Sequence, residues 1–144
     1  HLSIRRQRQM CIRDSQGVLM KPQLIKSVVA SNLNLLSQPE PIVFSSPMSR
    51  TTSGFLTRMM VDSVEVGVAS RANIEGIAVA GKTGTAESGP NDPYTLWFTG
   101  FAPAEAPRVV VTVVVEDGGG VGQSGTGNQI AAPIAKAVLE AILK

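Results

Sequence analysis

Between Ile77 and Glu116 the apolar positions fall into three short extended runs, and polar links carrying glycine and proline separate them. The runs near Ile77 to Ala86, Thr95 to Ala102 and Val109 to Glu116 are rich in β-branched and aromatic residues, which predicts three strands. Links this short favour antiparallel neighbours. On either side the period becomes helical. Ser46 as N-cap and Pro47 at the first helical position open a helix whose apolar face is Phe55, Leu56, Met59, Met60 and Val64; it ends near Glu65 and is stopped by Gly67. A last helix from about Gln129 to Leu143 is expected to bury Ile130, Ile134, Ala137, Val138, Ala141 and Ile142. Upstream, Val18 to Lys21 and Leu24 to Ala30 read as short extended pieces. Ser31 to Asn34 reads as a turn, with another extended piece near Leu35 and a loop at Gln38 to Pro41. Helices flanking an antiparallel sheet predict an α+β domain.

At 144 residues with 43% hydrophobic content, the chain suits one domain with a core of its own. Its net charge of +2 depends on the first fifteen residues, where Arg5, Arg6, Arg8 and Arg13 surround the single cysteine, Cys11. Without those arginines and Asp14, nine basic residues face ten acidic ones. A nucleic-acid reading would therefore rest on this tail alone, which has no interleaved aromatics and no recognisable module, and no nucleic-acid partner is expected. Residues 1–16 read as a non-matching basic tail, either a disordered end or an artefact of sequence assembly. One cysteine permits no internal disulfide. The lone histidine, His1, fits no metal or triad pattern, and neither a metal nor a cofactor is expected. No apolar run approaches the ~20 residues of a membrane span, and no signal-peptide pattern is present.

Candidate chemistry concentrates in Gly76 to Glu87, GIAVAGKTGTAE, where two signatures overlap. From Gly76 the letters fit a phosphate-cradling P-loop, with Val109 to Val115 and Glu116-Asp117 as the metal-binding strand of a nucleotide hydrolase. From Lys82 they fit the K-T-G-T substrate strand of serine acyl-transferring enzymes. A P-loop needs a pliant turn followed by about three turns of helix. Ile77 to Ala80 are strand residues, and after Lys82 the breakers Gly84, Gly89, Pro90 and Pro93 leave no helix room to form. Lys82 is therefore placed on a strand ending in a loop near Ser88. On such a strand Lys82 and Gly84 share one face while Thr83 and Thr85 share the other, and an edge position would let lysine charge and threonine hydroxyls hold a peptide carboxylate. The four letters alone also suit a strand whose lysine merely snorkels to water. Gly120, Gly122 and Gly125 form a G-x-G-x-x-G between the last strand and the last helix. It lacks a second parallel strand and sits beside Glu116 and Asp117, so it reads as a mobile connection rather than a dinucleotide site. Asp62 and Glu65 read as solvated carboxylates near a helix end.

Four segments in order, GVLMKP at Gly17 to Pro22, AGKTGTAE at Ala80 to Glu87, LWFTGFAPAEAP at Leu96 to Pro107 and AAPIAKAVLEAIL at Ala131 to Leu143, resemble the class B penicillin-binding proteins of the actinobacterial type. The resemblance covers about residues 17–144. It implies the C-terminal portion of a penicillin-binding protein/β-lactamase-like transpeptidase fold. In such enzymes a serine attacks the penultimate carbonyl of a D-alanyl-D-alanine stem peptide, forms an acyl-enzyme and passes the acyl group to an amine of neighbouring peptidoglycan; penicillins acylate the same serine. By this resemblance Lys82 and Thr85 are catalytic, Lys82 in the proton-transfer network and the Thr85 N–H as an oxyanion donor, a contribution of roughly 10²–10³ in rate. Lys82, Thr83, Gly84 and Thr85 would bind substrate. Trp97 would be core or cleft wall.

The family nucleophile lies in S-x-x-K and a second motif is S-x-N. Neither occurs here: the residues three positions before the five lysines are Val18, Gln23, Val79, Pro133 and Ala141. The resemblance thus implies a partial transpeptidase domain, inactive alone, whose missing helical half would leave an apolar patch exposed and promote association. It further implies peptidoglycan stem peptide and β-lactams as ligands of the intact protein, a glycosyltransferase partner, and an extracytoplasmic location held by an N-terminal anchor in upstream sequence. Where the family often has Gly-Thr-Ala after its helix, this chain has Gly67-Val68-Ala69, for which only a structural consequence is expected. A noncatalytic peptide-binding module is the remaining alternative to transpeptidase and nucleotide hydrolase.

Overall fold

The computed structural model describes residues 17–87 and 89–144. The basic tail, with His1 and Cys11, lies outside the described residues, as does Ser88. An arm of two small antiparallel ladders comes first: β1 (Leu19–Met20) pairs with β4 (Val43–Ser45), and β2 (Val28–Val29) with β3 (Leu35–Ser37). The expected turn at Ser31 lies between β2 and β3, where Ala30 N–H donates to Asn34 O at 2.8 Å. Strand β4 has no counterpart in the sequence expectation, because its partner is a two-residue strand some twenty-four positions away.

Helix α1 (Arg50–Glu65) begins later than Ser46-Pro47 predicts. Ser49 is the N-cap, its Oγ accepting from Thr52 N–H at 3.1 Å. The preceding Met48 is held against Gly17, where an added Cβ would lie 3.1 Å from the Met48 carbonyl carbon, so the chain there is committed to packing before it can turn helical. The buried residues of α1 are Ser53, Met60 and Val64, whereas Phe55 and Met59 stay exposed. Gly67 follows directly. A Cβ there would meet Ser63 Cα at 2.9 Å, so a glycine is needed for the chain to fold back over the last helical turn.

The three-stranded sheet has the expected strands and order: β5 (Ala80–Ala86), β6 (Thr95–Ala102) and β7 (Val109–Val115), all antiparallel. Register aligns Thr83 with Phe98 and Val113, and Gly81 with Gly100 and Val111, on one face. That face receives Val64 from α1 and Ala132, Ala135 and Leu139 from α2 (Ala132–Leu143), closing a core around the fully buried Phe98. Gly81 and Gly100 make room for the Phe98 ring, which would stand 2.6 Å and 2.9 Å from their added Cβ atoms. The opposite face carries Lys82, Thr99 and Thr112 in one row and Gly84, Trp97 and Val114 in the next. Thr99 and Thr112 share a hydrogen bond there at 3.0 Å between their hydroxyls.

The last helix buries a different stripe from the one its periodicity suggests. Ala132, Ala135 and Leu139 are inside, while Ile134, Ala137, Val138, Ala141 and Ile142 are exposed. Ala132 and Ala135 let the helix approach the sheet closely, and Leu139 joins the same core as Phe98. A π-helical turn, Gly127–Ala131, leads into it. The connection before that turn is a succession of tight 3-10 turns, Asp117–Gly120 and Gly122–Ser124, tied to the sheet by Gly118 N–H donating to Tyr94 O at 2.7 Å. Among the described residues no helix is long and apolar enough to cross a membrane.

Candidate functional site

Strand β5 is an edge: its one sheet partner among the described residues is β6. Its residues Ala80 to Ala86 are extended throughout, so the helix that a P-loop requires at Lys82 is absent and the nucleotide-hydrolase reading is overturned. The cause is local, since β-branched and small apolar residues before Lys82 and glycine after it favour pairing with β6 over coiling.

Lys82 and Thr85 are exposed, and Thr83 and Gly84 are partly buried. All four line one groove of ≈ 440 Å³, together with Val68, Thr126, Gly127 and Asn128. Alternation along the strand is thus overcome at its margin, where side chains of both faces reach the same opening. The Lys82 ammonium donates to the Thr83 carbonyl at 2.6 Å. Asp62 and Glu65, both exposed, lie away from this groove and line another with Arg58 and Glu105. Trp97 is partly buried on β6 beside Gly84 and is not among the groove residues.

The remaining groove residues come from two places that the motif does not announce. Val68 stands on the turn after α1, is 65% exposed and lines the groove, so the Gly67-Val68-Ala69 departure puts an apolar residue there. Thr126 caps the π-turn: its Oγ1 accepts from Gln129 N–H at 3.2 Å and donates to Gln129 Oε1 at 3.1 Å. This Thr-x-x-Gln box is a sequence signal that marks where the groove wall begins. Gly127 then presses onto the sheet, where an added Cβ would lie 2.8 Å from Gly84 O and 3.2 Å from Thr83 Cβ, and against Trp97 O.

Chemically, the groove offers one ammonium, several hydroxyls and the edge of a sheet, a set suited to an extended ligand ending in a carboxylate. Among the described residues there is no cluster of three or more His, Cys, Asp or Glu arranged to hold a metal.

Comparison with known proteins agrees with this architecture. The family described as "Penicillin binding protein transpeptidase domain" matches residues 14–140. Peptidoglycan D,D-transpeptidase PbpA of Mycolicibacterium smegmatis is 38% identical over 133 residues, covering 90% of this chain and 27% of that protein. The structure of penicillin-binding protein A from M. tuberculosis as a ceftriaxone acyl-enzyme superposes with a TM-score of 0.84 at 35% identity, over 95% of this chain and 31% of the other. The D,D-transpeptidase domain of a peptidoglycan glycosyltransferase from Eggerthella lenta gives 0.78 at 37% identity, over 92% and 29%. The chain therefore spans about a quarter to a third of the length of these three relatives. With its edge-strand K-T-G-T, its antiparallel sheet and these matches along nearly its whole length, the chain belongs to the penicillin-binding protein transpeptidase family, of which it forms a C-terminal part.

Proposed function

We propose that this chain is the substrate-strand portion of a serine-type D,D-transpeptidase, residues 17–144 being its partial transpeptidase domain and residues 1–16 a tail outside it. The observation that carries the reading is the K-T-G-T strand lying on an open sheet edge and lining a groove. In the reaction, a serine from an S-x-x-K motif elsewhere in the intact protein attacks the penultimate stem-peptide carbonyl and expels the terminal D-alanine. An amine of a second stem peptide then takes the acyl group. Lys82 holds the groove electropositive and supports proton transfer, Thr83 and Thr85 hold the substrate carboxylate, and the Thr85 N–H donates to the developing oxyanion. Gly84 keeps the strand free of a side chain where substrate backbone lies alongside. The intact protein acts on the outer face of the cytoplasmic membrane, bound through an upstream anchor and working with a glycosyltransferase, and β-lactams acylate its serine.

Fluorescent penicillin tests this directly. The intact protein is labelled, and Lys82→Ala removes a charge-assisted hydrogen bond of about 1.5–3 kcal/mol, slowing labelling about 10- to 150-fold. This chain by itself stays unlabelled because no lysine follows a serine at the required spacing. Absence of labelling in the intact protein would favour a noncatalytic peptide-binding module instead.

A further inference from the structure

The groove wall beyond β5 is assembled from two elements far apart in sequence, the turn carrying Val68 and the turn Gly127–Ala131. One side chain joins them. Asn128 Oδ1 accepts from the Arg71 backbone N–H at 3.0 Å, and its Nδ2 donates to Ser70 Oγ over a longer 3.5 Å. The Arg71 amide lies in the 3-10 turn Ser70–Ala72, whose cap position is Ala69 and has no side-chain acceptor to offer. A helical first turn leaves its amides unpaired, and here the missing cap is supplied from 57 residues away.

Each joined element is fixed at its other end. Ala69 N–H donates to Ser63 O at 2.9 Å, which anchors the first to α1. Gly127 anchors the second through its close approach to Gly84 and Trp97. The Asn128 bond therefore spans the seam between a helix-borne and a sheet-borne part of one wall.

We propose that Asn128 is a positioning residue: by tying the Val68 turn to the Gly127 turn it fixes the width of the groove beside Lys82 to Thr85, and so governs how fast a carboxylate-bearing substrate is carried to acylation. The proposal rests on the transpeptidase reading. Asn128 contributes no proton and no nucleophile; it keeps an apolar rim and a hydroxyl-bearing rim from parting. Displacement of a positioning element by about 1 Å costs roughly 10²-fold in rate.

The test uses the intact protein with Asn128→Ala and Asn128→Asp. Labelling by fluorescent penicillin is followed in time and separated into a saturation constant and a limiting acylation rate. About 0.5 M salt screens the charge that aspartate adds. Amide hydrogen exchange at Arg71 is measured alongside. Asn128→Ala is expected to slow the limiting rate at least ~10-fold and to speed Arg71 exchange by a similar factor. Asn128→Asp keeps the oxygen that accepts from Arg71 and should restore both to within about threefold of the unmutated protein. Unchanged Arg71 exchange in Asn128→Ala overturns the pin, as does a wild-type limiting rate. Equal slowing in both variants with Arg71 still protected assigns the side chain to direct ligand contact and also overturns it. A rate loss that vanishes once the unfolded fraction is subtracted does the same. An unmutated protein that takes no label sinks the transpeptidase reading, an outcome distinct from all of these.

Discussion

Replacing Gly127 by alanine inserts one methyl group where the π-turn rests on the sheet. The new Cβ would sit 2.8 Å from Gly84 O and 3.2 Å from Thr83 Cβ, and would also press on Trp97 O. Relieving the Gly84 contact to about 3.4 Å requires a displacement of about 0.6 Å, and the Trp97 contact demands more. These obstacles are backbone carbonyls of paired strands, with no rotamer by which to escape, so the π-turn must lift. Overpacking of this kind costs about 1–3 kcal/mol, and the upper half of that range is expected here. The same movement widens the groove beside Thr83 and Gly84, so function should suffer beyond the stability loss. In the intact protein, acylation by fluorescent penicillin is expected to slow by about 10- to 100-fold. Urea denaturation of the chain reports the stability term, and time-resolved labelling of the intact protein reports the functional one. A stability change under ~0.5 kcal/mol together with unaltered labelling would refute the idea that this turn is seated hard against the strand.

Gly54 lies within α1, exposed and with nothing within 4 Å of an added Cβ, so Gly54→Ala should raise stability by about 0.5–1 kcal/mol in the same urea assay. Leu139→Ala deletes a fully buried side chain and should cost about 2–5 kcal/mol. Ile134→Ala on the exposed side of the same helix should cost clearly less, and equal losses would mean that the helix faces the other way. At the C-terminus a Lys144 ammonium 2.9 Å from Glu140 Oε1 holds that carboxyl below its usual value of 4.5, first by hydrogen bonding and then by charge, against an opposing push from desolvation. A depressed carboxyl stabilises the fold above its unfolded pKa, and the contribution disappears as pH falls through the lower folded value. Lys144→Ala should return the Glu140 midpoint toward 4.5 in an NMR titration, and an unmoved midpoint would discount the pair.

The sheet was readable because its signals are local. Runs such as Val109 to Val115 have one favourable backbone, and short links leave few ways to join them. K-T-G-T was readable for a different reason, since its neighbours exclude a helix at Lys82. The buried face of α2 was misjudged: AAPIAKAVLEAIL is apolar nearly all round, so a 3.6-residue period fits more than one stripe, and contact with the sheet selects Ala132, Ala135 and Leu139. The start of α1 was expected three residues too early, at Ser46; a contact between Met48 and Gly17, distant in sequence, holds the chain before the helix and leaves Ser49 as the cap. Val68, Thr126 and Asn128 join the groove through tertiary packing alone. Only the Thr126-to-Gln129 box left any trace of it in the sequence.

The lysine on the edge strand is not waiting in open water. Its ammonium already has a berth on the Thr83 carbonyl of the same strand. On the proposed reading, an arriving acid must draw it away from that neutral oxygen, and what is gained is the preference of a cation for an anion over a carbonyl. On the same reading, a ligand with its terminus amidated brings no such preference: the ammonium stays berthed, and the threonine hydroxyls alone are left to hold the newcomer.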